Sequence, residues 1–353
     1  MPVASSLCGA GAKEVIAGAP LLVWIYDATF LAGNWRTALR ERRFLYAGFL
    51  LTWAVLAAVV STGPRSRSVG FGFSVGWWDY LKTQSSVILH YLSLAFWPHP
   101  LSIDYGDYPI ATSLVSVLPQ ALVIVALLGV SIWCLRKRPA LGFLGAWFFI
   151  VLAPSSSFVP IVTEPAAERR MYLPLIAAVT LVFYGVYELT RRSRMLRARW
   201  LALASAGLIT VILAAATHRR NSDYRTEITI WSDVVKNHPN YAGARNNLGL
   251  ALLMEDRHDE GLRHLLESIR LNPRYTKAHQ NLGFAYSVLG RHSEAIQHHK
   301  EALRYDPNMT HARYQLATEY LETGDSASAR NELEILKTQD AKLAGLLAAK
   351  LQN

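Results

Sequence analysis

The chain of 353 residues is 52% hydrophobic and carries a formal net charge of +10, and its length allows two domains. The basic excess lies entirely in residues 1–220, which carry 20 Lys and Arg against 9 Asp and Glu, whereas residues 221–353 carry 16 against 17. Because the basic residues form short clusters between apolar runs, they indicate membrane loops and argue against nucleic-acid binding, while two cysteines, Cys8 and Cys134, argue against a disulfide framework.

Six apolar runs in the first 217 residues predict membrane-spanning helices, because most approach the roughly 20 residues needed to cross the hydrocarbon core. The first run contains Pro20 and Asp27, so we expect neighbouring helices to shelter it. Asp27 and Glu188 lie near predicted span ends, where we expect water to reach them. The predicted spans are residues 15–31, 44–61, 113–135, 141–158, 171–189 and 200–216.

Three basic clusters predict the orientation of these spans. With six spans, the clusters that follow the first, third and fifth fall on one side, which the positive-inside rule makes cytoplasmic. The C-terminal residues are then exoplasmic, and the protein is expected in the cell inner membrane if the host is bacterial. The clusters are Arg36, Arg40, Arg42 and Arg43; Arg136, Lys137 and Arg138; and Arg191, Arg192, Arg194, Arg197 and Arg199.

The segment 79–97 is apolar enough to be considered as a seventh span. However, Lys82, Ser86, His90 and Ser93 recur in it at helical spacing, and tryptophans stand at both ends. A seventh span would also move the last two basic clusters outside the cytoplasm. We therefore predict an amphipathic helix that lies in the membrane interface.

Several polar residues that could carry chemistry fall in the predicted exoplasmic segments. Two adjacent arginines can bind a phosphate with bidentate geometry, and nearby carboxylates can act as a base or hold a divalent ion. The alternative is that all of them are solvated interface residues and loop salt bridges. The candidates are Lys13, Glu14, His99, Asp104, Glu168, Arg169 and Arg170.

Three prolines, Pro239, Pro273 and Pro307, lie 34 residues apart, which is the length of a tetratricopeptide (TPR) repeat. Small residues such as Gly249 and Gly283 recur where the two helices of a repeat must approach closely. The fold class is therefore predicted as all-α, a polytopic transmembrane bundle of about six spans followed by a TPR α-solenoid. The predicted regions are a membrane domain at 1–217, a linker and lone helix at 218–238, three repeats at 239–340 and a capping helix at 341–353.

One polar position recurs on the first helix of each repeat, occupied by Asn247, Asn281 and Gln315. A side-chain amide both donates and accepts, so it can pair with the N–H and C=O of an extended peptide. The arrangement resembles the asparagine ladder of TPR arrays that grip peptide backbones. The alternative is a set of amides on a helix surface.

Nine of the 11 histidines lie between residues 218 and 311, including the adjacent His298 and His299. On amphipathic solenoid helices we expect them at the surface, and metal binding is the alternative. No metal site is assigned.

Four segments, in order along the chain, resemble those of a known family. The segments are residues 11–14 (Gly-Ala-Lys-Glu), 96–105 (Phe-Trp-Pro-His-Pro-Leu-Ser-Ile-Asp-Tyr), 167–174 (Ala-Glu-Arg-Arg-Met-Tyr-Leu-Pro) and 219–224 (Arg-Arg-Asn-Ser-Asp-Tyr). Together they resemble the transmembrane and tetratricopeptide repeat-containing O-mannosyltransferases and their bacterial relatives, and the resemblance covers nearly the whole chain.

The resemblance implies a GT-C glycosyltransferase that transfers a sugar from a polyprenyl-phosphate donor outside the cytoplasm. In that family the catalytic carboxylate typically lies in the first exoplasmic loop, and we expect that loop and the earlier spans to be missing from these residues. No catalytic residue is therefore assigned, and Glu14 and Asp104 are the stand-ins. Arg169 and Arg170 are implied as candidates for the donor phosphate.

Two functions remain open at this point. The first is a membrane glycosyltransferase, possible as a truncated and inactive form, whose exoplasmic TPRs bind the acceptor. The second is a non-catalytic, membrane-anchored TPR scaffold for protein–protein interaction. Both imply a lipid bilayer and an extended polypeptide as partners, and neither involves nucleic acid.

Overall fold

The computed structural model describes residues 17–61, 75–154, 165–192 and 196–352, and within these ranges every regular element is helical. The all-α expectation is therefore confirmed for the described residues. The chain divides into two compact units, Met1–Ala215 and Ala216–Asn353.

The first unit contains the apolar helices. A π-helical turn, Asp27–Leu31, continues the first of them, and a 3-10 turn, Glu168–Met171, precedes the seventh. The helices are α1 (Ala19–Tyr26), α2 (Trp35–Glu41), α3 (Arg43–Ser61), α4 (Trp77–Phe96), α5 (Leu114–Lys137), α6 (Pro139–Ala153), α7 (Pro174–Arg192) and α8 (Leu196–Asn221).

Each predicted span coincides with one of these helices, but their lengths differ. In the described ranges, only α5, with 24 residues, is long and apolar enough to cross a membrane. Four shorter apolar stretches accompany it, so the number of crossings stays a prediction. These stretches are Ala19–Leu31, Arg43–Val55, Pro139–Ala153 and Pro174–Glu188.

The apolar side chains of α5 and α7 are largely exposed in the folded chain. Val115, Val125 and Trp133 project from α5, and Phe183 and Tyr187 project from α7. Large apolar patches on a folded chain mark surfaces that another apolar phase covers.

Helix α4 forms over the predicted interfacial segment, but its polar side does not face water. Lys82, Thr83 and Gln84 are buried, although Lys82 was expected on a solvated face. Ser86 and His90 are half-buried. The loops that follow α4 and precede α7 cover this side because its polar groups bond to their backbone.

The core of the first unit lies between α4, α6 and these two loops. It contains Tyr91 of α4, Phe148 and Leu152 of α6, and Tyr105 and Met171 of the loops. The core thereby fixes the loops that carry most of the candidate polar residues.

Asp27 differs from expectation, because water does not reach it. Its side chain is only 1% exposed, and its carboxylate oxygens accept hydrogen bonds from Arg42 Nη1 and Tyr46 Oη, each at 2.5 Å. The basic cluster after α1 supplies this partner, which compensates the cost of burying the charge.

The second unit is a row of antiparallel helix pairs preceded by a lone helix. A two-sided cap between Thr226 and Thr229 begins that helix, α9 (Glu227–Asn237). The pairs are α10 (Ala242–Met254) with α11 (His258–Leu271), α12 (Thr276–Val288) with α13 (His292–Tyr305), and α14 (Thr310–Glu322) with α15 (Ser326–Gln339), followed by α16 (Ala341–Gln352).

Small residues set the close approach inside each pair. A Cβ at Gly249 would lie 2.8 Å from Leu265 Cγ, and one at Gly283 would lie 2.5 Å from His299 Cε1. The turn inside each pair needs a left-handed residue at one repeating place. Gly290 and Gly324 supply it in the second and third pairs, whereas Asp256 adopts φ 58° in the first.

Candidate functional site

Glu168 joins two loops of the first unit that lie more than sixty residues apart in sequence. Its Oε1 accepts a hydrogen bond from the backbone N–H of Ser102 at 2.7 Å and from Tyr105 Oη at 2.5 Å. Burial and the bond to Glu168 raise the pKa of Tyr105, so its hydroxyl stays protonated and donates. The structure therefore brings together the 98–109 and 165–171 segments.

Helix α4 holds the second of these loops through side chains that sequence reasoning missed. Gln84 Nε2 donates to the Pro165 carbonyl at 3.1 Å, and Tyr91 Oη accepts from the Ala167 N–H at 2.6 Å. Arg170 Nη1 donates to the same carbonyl at 3.1 Å and to Tyr80 Oη at 3.3 Å. The 165–170 backbone is therefore fixed on the polar side of α4.

The same helix holds the chain that enters α5. Thr83 Oγ1 accepts from the Ala111 N–H at 2.8 Å, and Lys82 Nζ donates to the Thr112 carbonyl at 2.5 Å. Lys82 also pairs with Asp79 at 2.7 Å. Recurring polar residues along α4 were the available signal, but they serve these backbone contacts.

The candidate residues of this region differ in exposure. Arg169 and His99 are exposed, whereas Asp104 and Arg170 are half-buried. Because Arg170 bonds to Pro165 and Tyr80, the two arginines do not present a common face to a ligand. Lys13 and Glu14 lie outside the described residues. In the described ranges, no group of three or more His, Cys, Asp or Glu side chains is placed to hold a divalent ion.

In the second unit, hydrogen bonds connect the predicted amide positions across neighbouring repeats. Asn281 Nδ2 donates to Asn246 Oδ1 at 2.8 Å, and Asn246 Nδ2 donates to Asn247 Oδ1 at 2.9 Å. Gln280 Nε2 donates to Gln315 Oε1 at 3.1 Å. We call these five residues the amide row.

The internal bonds use one polar atom of each predicted ladder residue. Asn247 and Gln315 each accept through the side-chain oxygen, and Asn281 donates through its nitrogen. Asn247 Nδ2, Asn281 Oδ1 and Gln315 Nε2 make no hydrogen bond within the described part of the chain, and all three side chains are partly exposed. The row thus offers oriented donors and an acceptor to a ligand. The internal partner Asn246 was missed by sequence reasoning, although Gln280 follows it by 34 residues.

A second set of contacts recurs every 34 residues and closes each repeat. Arg245, His279 and Arg313 occupy equivalent places on the first helices, and each donates to the carbonyl of the proline that opens its repeat. The contacts are Arg245 Nη2 to Pro239 at 3.2 Å, His279 Nε2 to Pro273 at 3.0 Å and Arg313 Nη2 to Pro307 at 2.8 Å.

The same side chains also reach the second helix of their repeat, and we call the resulting pairs clasps. Arg245 Nη1 lies 3.4 Å from His264 Nδ1, and His279 Nδ1 lies 3.3 Å from His298 Nδ1. The third clasp is an ion pair, with Arg313 Nη1 2.6 Å from Glu332 Oε2. The regular spacing of Arg245, His279 and Arg313 was a usable sequence signal.

The expectation that the histidines lie at the surface is wrong for two of them. His279 is 6% exposed, because it bonds inward to Pro273, and His299 is fully buried against Gly283. Burial lowers the pKa of His299 to about 4. Burial, followed by the charge of His279, also lowers the pKa of His298 to about 4. Burial and Arg245 lower the pKa of His264.

Residues 289–351 match the family model described as tetratricopeptide repeat. The second unit is a TPR solenoid. Its inter-repeat contacts run from first helix to first helix, as α10 packs on α12 and α12 on α14. This arrangement is the one in which TPR arrays form a continuous binding surface.

Curated relatives are similar to the chain over about a third of its length, in the TPR region. Protein O-mannosyl-transferase Tmtc3 of Drosophila melanogaster is 32% identical over 127 residues, which are 35% of this chain and 13% of that protein. Protein O-mannosyl-transferase TMTC3 of Homo sapiens is 28% identical over 115 residues, 33% of this chain and 12% of that protein. The chain therefore spans only a small part of these relatives.

Solved TPR structures resemble the chain at low superposition. A crystal structure of MamA is 24% identical, covers 33% of this chain and 69% of its own, and has a TM-score of 0.31. A thermophilic TPR protein of Thermus thermophilus is 18% identical, covers 65% of this chain and all of its own, and has a TM-score of 0.33.

Proposed function

We propose that the TPR unit holds an extended polypeptide at a membrane surface, as the acceptor-binding part of a protein O-mannosyltransferase-like glycosyltransferase. The observation that carries the first half of this proposal is the amide row. Its internal bonds orient Asn247, Asn281 and Gln315, and each leaves one polar atom for a ligand.

An extended peptide suits this row because its backbone repeats one donor and one acceptor per residue. Oriented amides lose little rotamer freedom when they bind, so more of each hydrogen bond appears as affinity. The flanking side chains on the first helices, such as Leu250, Phe284 and Thr318, carry no charge. We therefore expect recognition of backbone more than of a charged side-chain motif.

Membrane attachment is supported by α5 and by the exposed apolar side chains of α5 and α7. The proposed topology places the basic clusters in the cytoplasm and the TPR unit in the exoplasmic space, which is the periplasm in a bacterium. Helix α4 would lie near the interface, with Trp77, Trp78 and Trp97 exposed at its ends.

The proposed sugar donor is a polyprenyl-phosphate sugar, which is the donor that the O-mannosyltransferase resemblance implies. The joined loops of the first unit would face its phosphate through Arg169, whose guanidinium is exposed. Arg170 and Glu168 would hold the loop backbone in place, because their contacts run to Pro165, Ser102 and Tyr105. His99 and Asp104 lie on the joined 98–109 segment and remain candidates for the same site.

A second candidate function is a membrane-anchored TPR scaffold without catalysis. It is favoured by the coverage of the O-mannosyl-transferase relatives, whose similarity lies in the TPR region. The amide row serves this function equally well.

A transfer assay separates the two functions. Membranes that contain the chain are supplied with a polyprenyl-phosphate-linked labelled mannose and a Ser/Thr-rich peptide. Labelled peptide that depends on Arg169 supports the glycosyltransferase. Peptide retention without label supports the scaffold, and neither label nor retention contradicts both.

A further inference from the structure

The three clasps make the same contacts with different charges. Arg313 faces the carboxylate of Glu332 in the third repeat, so that clasp joins opposite charges. In the first repeat Arg245 faces an imidazole, and in the second repeat two imidazoles face each other. The first two clasps therefore depend on unprotonated ring nitrogens, and the third does not.

We propose that the first two clasps are an acid-sensitive lock, in which protonation of His264 and His298 opens the first and second repeats and leaves the third closed. The opened repeats would release the polypeptide from the amide row, and this consequence rests on the proposed function. The lock itself is a property of the fold.

The first clasp fails on protonation because its acceptor is lost. Arg245 Nη1 can only donate, so His264 Nδ1 must carry a lone pair to accept its hydrogen. A proton on Nδ1 removes that lone pair and places two cations in contact. Arg245 then loses the partner that holds it between the Pro239 carbonyl and α11.

The second clasp tolerates one proton but resists two. The Pro273 carbonyl can only accept, so His279 Nε2 carries a hydrogen, and a neutral His279 presents the lone pair of Nδ1 to His298. A single proton between the two Nδ1 atoms satisfies both rings. A second proton sets two N–H groups against each other at 3.3 Å. His298 also stacks on Tyr286, over whose ring the Arg291 guanidinium lies.

The neighbouring acids do little to reverse this effect. Glu260 and Glu267 face His264 from its own helix, as Glu294 and Glu301 face His298, and each carboxylate already pairs with an arginine three residues away. Arg263 is a further cation beside His264. The remaining groups are Tyr305 beside His279, and Glu319 of α14 near His299.

One neighbouring contact acts in the opposite direction. His292 Nδ1 lies 2.8 Å from the buried carboxylate of Glu319, so protonation of His292 strengthens that pair. This contact joins α13 to α14 and not α13 to α12, so it holds the second helix of repeat two on repeat three. The acid-opened interface is therefore the one inside each of the first two repeats.

The direction of the pH effect follows from the lowered pKa values of His264 and His298. The unfolded histidines bind protons below about pH 6.5, whereas the folded ones resist until lower pH. Stability from these clasps is thus present above about pH 6.5 and is lost as the pH falls toward the folded-state values.

Hydrogen–deuterium exchange of the full chain in lipid nanodiscs tests the lock. Exchange is compared at about pH 7.5 and about pH 5, after correction for intrinsic rates. We expect protection of α10–α13 to fall about tenfold more than protection of α14 and α15. The double variant His264→Glu with His298→Glu gives both repeats the acidic partner of the third, and should retain protection at the lower pH.

The reverse variant keeps the test decisive if the double variant folds poorly. Glu332→His gives the third repeat the Arg–His clasp of the first, so α14 and α15 should become acid-sensitive. A control, His311→Gln, changes an exposed histidine outside the clasps and should leave the profile unchanged. Equal pH responses in all three repeats, or a third repeat that stays acid-resistant in Glu332→His, would overturn the proposal.

Release is measured separately with a rhodamine-labelled peptide of Ser, Thr, Ala and Gly, which has no group that titrates in this range. Binding at about pH 7.5 that weakens about tenfold at about pH 5, and does not weaken in the double Glu variant, supports release. Unchanged binding in the wild type overturns release. If the peptide binds at neither pH, the proposed function fails, while the exchange experiment still decides the lock.

Discussion

Replacing His299 with leucine should stabilise the second repeat and remove much of its pH dependence. His299 is fully buried, and neither ring nitrogen has a hydrogen-bond partner in the described part of the chain. Leu265 and Leu333 occupy the equivalent places of the first and third repeats, where they pack in the core. Leucine therefore suits this site, and removing an unsatisfied buried polar group should contribute about 1–3 kcal/mol at pH 7.

The pH term follows from linkage. The pKa of His299 is lowered from 6.5 to about 4, so the unfolded chain binds the proton first as the pH falls. For these two values the wild type loses about 2 kcal/mol between pH 7 and pH 5, and a limit of about 3.4 kcal/mol at lower pH. The contribution is complete above about pH 6.5 and is lost as the pH approaches 4.

The assay is the free energy of opening of α13 amides, obtained from hydrogen exchange of the full chain at both pH values. His299→Leu should open less readily at pH 7, and its loss between pH 7 and pH 5 should be about 2 kcal/mol smaller than that of the wild type. His311→Leu, at an exposed position, is the matched control. Equal losses in the wild type and His299→Leu would refute the reasoning.

Three further predictions concern single contacts. Asp256→Gly should stabilise the first repeat by about 0.5–1 kcal/mol in the same exchange assay, because the residue has φ 58° and glycine adopts this conformation without strain. Gly283→Ala should cost about 1–3 kcal/mol by crowding the His299 ring, and His299→Leu should recover most of the loss in a double-mutant cycle. Glu168→Ala should raise exchange in residues 98–109 about tenfold, because Tyr105 and its loop lose their acceptor, whereas Glu168→Gln, which retains an oxygen acceptor, should raise it less.

Period and hydrophobic pattern predicted the helices well, because both are local properties. The 34-residue spacing of Pro239, Pro273 and Pro307 locates the helix pairs, and Gly249 and Gly283 stand where the helices approach. Apolar runs likewise located α3, α5 and α7. Their membrane crossing remains a prediction, since length and composition single out α5 alone among the described helices.

The polar contacts could not be predicted with the same reliability, because they depend on which distant backbone a side chain meets. Lys82 and Gln84 were expected to face water or the membrane interface, yet they bond to loops that come from elsewhere in the chain. Asp27 is buried because Arg42 and Tyr46 fold back onto it. Spacing along one helix carries no information about such partners.

The candidate site shows the same division. Sequence reasoning identified Asn247, Asn281 and Gln315 from their shared place in the repeat. It did not identify Asn246, whose amide is bonded at both ends and orients two of them. For Arg169 and Arg170, adjacency suggested a shared phosphate site, but the loop geometry separates their directions.

A titration of polypeptide onto the amide row tests the central claim most directly. The probe is the labelled peptide of Ser, Thr, Ala and Gly, and the protein is the full chain in nanodiscs at neutral pH. Asn247→Ala combined with Asn281→Ala removes two ladder amides, and Asn331→Ala removes an exposed amide on α15 as a control. The account predicts affinity about ten- to a hundredfold weaker for the double variant and unchanged for the control. Equal affinity of the double variant and the wild type would contradict it.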